Sequence, residues 1–228
     1  MIRLILGFLI KLTLYFLLVS VLWVVLLKFV PVWITPHMIG RKMEAAREGE
    51  KTKIYHQWKN YESISKEAAL AVVASEDQAF PTHWGFDFDQ MYDALTESRK
   101  RTRGASTISQ QVAKNVFLWH GRSYIRKALE AYFTVLIEII WGKERILEVY
   151  LNVAETGKMT FGVESAAQRF YGKSAASLTR HEAARIAAVL PNPIRFSIKN
   201  PSSYVVGRTT KITRQMRALG GQKYVAGL

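Results

Sequence analysis

Tyr124-Ile125-Arg126-Lys127-Ala128-Leu129-Glu130-Ala131-Tyr132-Phe133-Thr134-Val135-Leu136-Ile137-Glu138-Ile139-Ile140-Trp141 carries the strongest periodic signal in the chain. Leu129, Tyr132, Phe133, Leu136, Ile137, Ile140 and Trp141 recur at spacings of three and four, which predicts a helix with one apolar stripe. The plain reading of the stripe is core packing; a partial role in touching a membrane is a second use of the same face. Outward from here the signals stay helical. Glu144 to Val153 and Gly162 to Tyr171 read as shorter helices. Thr179 and Glu182 form a T-x-x-E capping box ahead of Ala183, Ile186, Ala187, Val189 and Leu190, and Pro191 and Pro193 stop that helix. Upstream, Ser65 suits the cap of a helix through Ala68, Leu70, Val72 and Val73. A further helix is expected from near Phe88 to the basic cluster Arg99, Lys100, Arg101 and Arg103, and another over Ser106 to Leu118. No strand alternation exceeds four or five residues, and no repeat or low-complexity tract occurs. The predicted class is mainly α.

The first thirty residues set the address. From Leu12 to Leu27 every residue is apolar except Thr13, Ser20 and the amphipathic Tyr15, and Leu4 to Ile10 extends the run with Lys11 as its one charge. Residues 4–27 as a single helix span about 36 Å, enough for a hydrocarbon core of roughly 30 Å. Lys11 can snorkel, and Trp23 and Trp33 suit the far headgroup belt. A cleaved signal peptide has a shorter apolar core and a small-x-small site, which Val30-Pro31-Val32-Trp33 does not offer. The reading is an uncleaved anchor over residues 1–33. Arg3 and Lys11 on one side and Lys28, Arg41 and Lys42 on the other leave its orientation open. Residues 34–62 read as a polar connector and membrane-proximal segment, and residues 63–228 as the functional domain.

The chain's 228 residues suit one domain of roughly 180 residues plus an appendage. At 49% hydrophobic residues the chain can bury a core, which argues against disorder. Zero cysteines exclude disulfides, zinc–thiolate sites and a cysteine nucleophile. A net charge of +14, from 32 Lys+Arg against 18 Asp+Glu, attracts nucleic acid, anionic lipid or phosphorylated substrates. The anchor and the lack of a binding motif speak against nucleic acid.

Three polar clusters can carry chemistry. In Glu76-Asp77-Gln78-Ala79-Phe80-Pro81-Thr82-His83-Trp84-Gly85 two carboxylates close an apolar helix. Partial desolvation there raises a carboxyl toward a useful general base, while the plainer alternative is a solvated C-terminal pair. His83 alone reads as a structural hydrogen bonder. Gly104-Ala105-Ser106-Thr107-Ile108-Ser109-Gln110-Gln111-Val112-Ala113-Lys114-Asn115 suits a loop entering a helix whose free N–H groups favour an anion. Its Ser106, Gln110, Gln111, Lys114 and Asn115 crowd polar groups beyond what an amphipathic helix needs. In Arg126-Lys127-Ala128-Leu129-Glu130, Arg126 and Glu130 can pair at i,i+4, which periodicity favours, or form a clamp for phosphate. Ser63-Ile64-Ser65-Lys66 fits the S-x-x-K of penicillin-binding transpeptidases, but S-D-N and K-T-G are absent, so it reads as helix-start chemistry.

In order, these segments resemble the glycosyltransferase family fifty-one domain, found in monofunctional peptidoglycan glycosyltransferases and at the front of class A penicillin-binding proteins. The family's E-D-x-x-F-x-x-H-x-G is matched by Glu76, Asp77, Phe80, His83 and Gly85. Its G-G-S-T-I-[ST]-Q-Q-x-x-K-N is matched from Gly104 to Asn115, with Ala105 departing from the second glycine. Its R-K-x-x-E is Arg126, Lys127 and Glu130. A fourth motif resembles Arg145 to Asn152 with Gly157, Gly162, Ala166, Ala167 and Tyr171-Gly172-Lys173; a fifth is Leu178, Glu182 and Ala183 through Leu190-Pro191-Asn192-Pro193.

The resemblance implies a mainly helical, lysozyme-like fold with a cleft between a large lobe and a membrane-proximal jaw. It implies a single-pass protein of the cytoplasmic (inner) membrane with its domain on the outer, periplasmic face. The implied reaction transfers a growing lipid-linked strand onto the 4-hydroxyl of lipid II with inversion, making a β-1,4 bond. Glu76 and Glu130 are the implied catalytic carboxylates, Glu76 as base and Glu130 as the group orienting Arg126 or a metal. Asp77, Phe80, His83, Ser106, Thr107, Gln110, Gln111, Lys114, Asn115, Arg122, Arg126 and Lys127 are the implied substrate contacts. No metal ligand and no obligatory cofactor are expected, with a divalent cation (magnesium or manganese) admitted as an aid. Lipid II, the growing strand and the membrane are the expected partners, together with cell-wall synthesis or division proteins. Rival readings are a lytic glycosidase, for which the cations lack purpose, and a non-enzymatic scaffold, for which Glu76 is dispensable. The charged stretch 86–103 between the first two motifs suits a moving lid.

Overall fold

A computed structural model describes residues 2–90, 92, 106–119, 121 and 123–228. The expected helix from Phe88 to the basic cluster, the lid reading of 86–103 and Arg122 fall largely or wholly outside these residues. The chain is helical at 88–90, where Asp87 Oδ1 accepts from Gln90 N at 2.8 Å.

The centre is α3 (Lys66–Glu76), in which Glu67 through Ala74 are all buried. Ser65 caps it, its Oγ accepting from Glu67 N at 3.3 Å. A short helix buried on every side must be apolar all round, and this one is built from alanine, leucine and valine. Its alanines face α8 (Arg180–Val189), where Ala183, Ala184, Ala187 and Ala188 are also buried. Small residues on both partners let the backbones approach closely. The expected Thr179–Glu182 capping box is formed in both directions. α9 (Ser203–Ala218), which the sequence patterns did not single out, packs on both α8 and α3.

α4 (Ile108–Phe117) lies between α5 (Tyr124–Ile140) and α6 (Lys143–Val153). The periodic stripe of α5 divides its work. Phe133, Ile137 and Trp141 are buried in the core, and Phe133 stacks on Phe117 with ring centroids 4.5 Å apart. Tyr132 and Trp141 also reach toward α1 (Ile2–Phe29), the one helix among the described residues long and apolar enough to cross a membrane. Ser20 Oγ and Tyr132 OH lie 2.7 Å apart, and Trp141 Nε1 donates to Val24 O at 2.8 Å. Arg145 Nη2 donates to Leu27 O at 2.7 Å and Val30 O at 2.5 Å, satisfying carbonyls that the end of α1 leaves open. The C-terminal half of α1 is thus docked on the domain.

The segment read as a connector is structured. α2 (Pro36–Arg47) starts at Thr35, whose Oγ1 accepts from Met38 N, with Pro36 at the first helical position. α2 packs against α4, and Arg41 Nε donates to Glu155 Oε2 at 3.1 Å. Next, β1 (Tyr55–His56) pairs in parallel with β3 (Thr160–Phe161), which pairs antiparallel with β2 (Glu155–Gly157), giving the order β1-β3-β2. α7 (Val163–Tyr171) follows and ends at Gly172, which adopts the left-handed conformation.

Candidate active site

Glu76 is the last residue of α3, where the buried helix reaches the surface, and its side chain is 14% exposed. Gln111 on α4 donates from Nε2 to Glu76 Oε2 at 3.3 Å. The Gln111 amide is fixed from behind by Tyr150 OH, which donates to its Oε1 at 3.1 Å. Burial pushes the Tyr150 phenol well above its ordinary range, so it stays a donor. Arg208 of α9 approaches Glu76 Oε1 at 3.4 Å. Burial raises the Glu76 carboxyl above its ordinary pKa; the Gln111 bond and the Arg208 charge work in the opposite direction. A carboxylate of raised pKa, held by one amide and one guanidinium, has the properties of a general base.

Asp77 does a different job. It is buried, and its oxygens accept from His83 Nε2 at 2.9 Å and from Ile108 N, the first residue of α4, at 2.9 Å. His83 Nδ1 accepts from Gly85 N at 3.0 Å, which fixes the tautomer with hydrogen on Nε2. Phe80 is fully buried, with Lys143 Nζ 4.6 Å from its ring centroid. Asp77, Phe80 and His83, expected as substrate contacts, form the frame joining the end of α3 to the start of α4. Thr107 and Gln110, expected as substrate contacts as well, belong to the same frame. They make a reciprocal capping box on α4, and Thr107 Oγ1 donates to Gly85 O at 2.7 Å. Ser106 is exposed; its carbonyl accepts from Gln111 Nε2 at 3.4 Å.

Lys114, Asn115 and Arg126 come together in a cavity of about 280 Å³, lined also by His37 of α2. Beside it Glu130, buried on α5, accepts from Arg126 Nη1 at 3.2 Å and Lys127 Nζ at 2.5 Å. The Arg126–Glu130 pair forms as i,i+4 spacing allows, and Arg126 lines the cavity as well. Lys114 sits among these groups. Burial lowers its ammonium pKa most, Arg126 and Lys127 lower it further, and Glu130 and Glu76 pull it back up. Three cations, Lys114, Arg126 and Lys127, stand among two carboxylates, Glu130 and Glu76, so positive charge is in local excess. Among the described residues no group of three or more His, Asp or Glu is placed to hold a metal ion.

Sequence reasoning missed Arg208, Tyr150 and a buried trio. Glu138 accepts from Ser109 Oγ at 2.5 Å and from Lys143 Nζ at 2.8 Å, tying α4 to α5 beneath Phe80. A glutamate inside the apolar run Val135–Trp141 was the available signal.

The fold and this site define a helical enzyme, with one helix apolar enough to cross a membrane, that sets a buried carboxylate beside a cavity lined by cations. The transglycosylase family model matches residues 42–217, and the chain belongs to that family. Relatives named biosynthetic peptidoglycan transglycosylase are 54% identical over 211 residues in Chromohalobacter salexigens (92% of this chain, 90% of that one) and 48% identical over 227 residues in Pseudomonas fluorescens (99% and 95%). One from Xanthomonas euvesicatoria is 51% identical over 211 residues (91% and 85%).

Proposed function

We propose that this protein polymerises peptidoglycan strands from lipid-linked disaccharide units. The observation that carries the reading is the pairing of a desolvated carboxylate, Glu76, with a cavity whose cations outnumber their carboxylate. A sugar hydroxyl needs a base at neutral pH, and Glu76 suits it. A pyrophosphate leaving group is already a stable anion and needs positive charge rather than an acid. Lys114 and Arg126 supply it, with Lys127 and Arg122 proposed to assist. Glu130 positions Arg126 and Lys127 and protonates nothing.

The 4-hydroxyl oxygen of the incoming lipid II attacks the anomeric carbon of the growing strand. The new carbon–oxygen bond forms as the bond to pyrophosphate breaks on the opposite face, and the hydroxyl proton passes to Glu76. The product is a lengthened β-1,4 strand on the new lipid, and the leaving group is undecaprenyl pyrophosphate. A divalent cation is best placed as a companion of the substrate's pyrophosphate, and no step depends on it.

α1 holds the site at the headgroups, with the domain on the outer face of the cytoplasmic membrane. The lipid tail of the substrate cannot leave the bilayer, so the reaction must come to it. Cell-wall synthesis or division proteins are the proposed protein partners. The test is mass analysis of the full chain incubated with lipid II and, separately, with finished strands. Release of undecaprenyl pyrophosphate with strand growth supports the reading. Shortened strands without lipid turnover would make the protein a lytic enzyme instead.

A further inference from the structure

His37 lines the cationic cavity and has no part in the chemistry above. Thr35 caps α2 and Pro36 opens it, which fixes His37 as the second helical residue. α2 packs on α4, and that contact brings His37 to the cavity of Lys114 and Arg126. Its ring meets Phe161 edge-on, with centroids 6.0 Å apart, and its side chain is 19% exposed. Glu155 Oε2 lies 3.8 Å from His37 Nε2, too far for a hydrogen bond and near enough for its charge to act on the ring. The Glu155 oxygens accept from Arg41 Nε at 3.1 Å and from Met159 N at 3.2 Å, so the carboxylate is held independently of the ring.

We propose that His37 is an additional ligand for the diphosphate of the lipid substrate and binds it as the imidazolium, so that diphosphate affinity rises as pH falls. The inference rests on the diphosphate reading of the cavity given above and adds a titrating group to it. Guanidinium groups keep their charge at every physiological pH, whereas an imidazole gains or loses its own within that range. Among the described residues the charges around the ring are Lys114 on α4, Arg126 on α5 beside Lys127 and Glu130, Arg41 on α2 and Glu155 on β2. A diphosphate adds negative charge to this set, which favours the charged ring. Protonation of His37 and anion binding therefore promote one another, each by the same factor. Glu155 supplies the second negative neighbour that an imidazolium between two cationic side chains needs.

The probe is methanedisulfonate, whose two sulfonates stay charged throughout, so that the ligand itself does not titrate. Calorimetry on the full chain in detergent gives Kd at about pH 5.5 and about pH 8, either side of the ordinary imidazole pKa of about 6.5. The wild type is expected to bind roughly tenfold tighter at the lower pH, about 1.4 kcal/mol. His37→Gln should lose most of that preference; what remains belongs to Lys114, whose ammonium is made easier to discharge by burial. His37→Lys, charged at both pH values, should bind at about pH 8 as tightly as the wild type does at about pH 5.5. A merely structural role would weaken both variants equally at both pH values. Undecaprenyl diphosphate should displace the probe, and phosphatidylglycerol at the same concentration should not. A folded His37→Gln with the full pH preference would overturn the proposal, as would displacement by phosphatidylglycerol, which would make the ligand a bulk headgroup. Should neither variant fold, the wild type decides: calorimetry in two buffers of different ionisation heat should show proton uptake on binding near pH 6.5, and no uptake overturns the proposal. Binding is read without turnover, so an inactive wild type would sink the polymerase reading and leave this result standing.

Discussion

Gly85 sits where the first two motifs meet α5. Its φ is +79°, and a Cβ there would lie 2.7 Å from Thr134 Cγ2 and 3.0 Å from Glu138 Cγ. Gly85→Ala therefore carries two costs. A left-handed backbone costs a residue with a Cβ about 1–2 kcal/mol, and overpacking costs about 1–3 kcal/mol. Neither neighbour gives way easily: Thr134 Oγ1 is held by Glu130 O at 2.7 Å, and Glu138 by Ser109 and Lys143. The expected loss is ~3 kcal/mol, which for a chain of this size lowers Tm by about 6–12 °C. The assay is thermal unfolding of the full chain in detergent, with Thr134→Ser as the partner variant. Serine removes the offending methyl and keeps the hydroxyl. The double variant should recover ~1–2 kcal/mol, the overpacking part, and leave the backbone part lost. A Tm for Gly85→Ala near that of the wild type refutes the argument. So does a Thr134→Ser effect that is the same in both backgrounds, because then the methyl contact is not the source.

The raised pKa of Glu76 in the fold means that its charged form is disfavoured there. Its contribution to stability is present below the ordinary carboxyl pKa of 4.5 and is lost as pH rises through the folded value. Glu76→Gln should accordingly melt higher than the wild type at pH 8, with the gap closing near pH 4; a gap that widens toward acid contradicts the assignment. Arg208→Gln removes a charge that opposes the rise, so the acid limb of kcat/KM should move to higher pH and return toward wild type in Arg208→Lys, whereas a downward shift would place Arg208 elsewhere in the reaction. Glu130→Gln should lose less turnover than Glu76→Gln, whose loss is expected at about 10²–10⁴-fold for a general base. Equal losses would give Glu130 a part in the proton transfer.

The helices were legible because their signals are local. The α5 stripe, the Ser65 cap and the Thr179–Glu182 box can each be read within one or two turns, and each is present. The roles of polar residues were less legible, because a helix places neighbours on different faces. Gln110 and Gln111 are adjacent, yet one caps α4 and the other holds Glu76. Asp77 follows Glu76, yet it turns inward to His83 and Ile108. Thr107 and Gln110 also satisfy a T-x-x-Q capping pattern that the reading of a polar surface passes over. Arg208 was invisible for a different reason: it reaches Glu76 across 132 positions of sequence, which no spacing rule spans. The charge of the stretch after α1 suggests a connector, although Thr35-Pro36 carries a helix-start signal.

The central claim is that Glu76 is the base of a strand-forming reaction. It is tested most directly by incubating fluorescent lipid II with the detergent-solubilised full chain and with Glu76→Gln, resolving products on a gel and digesting them with a muramidase. The account predicts a muramidase-sensitive ladder from the wild type and none from a folded Glu76→Gln. A ladder of undiminished yield from the variant would contradict it.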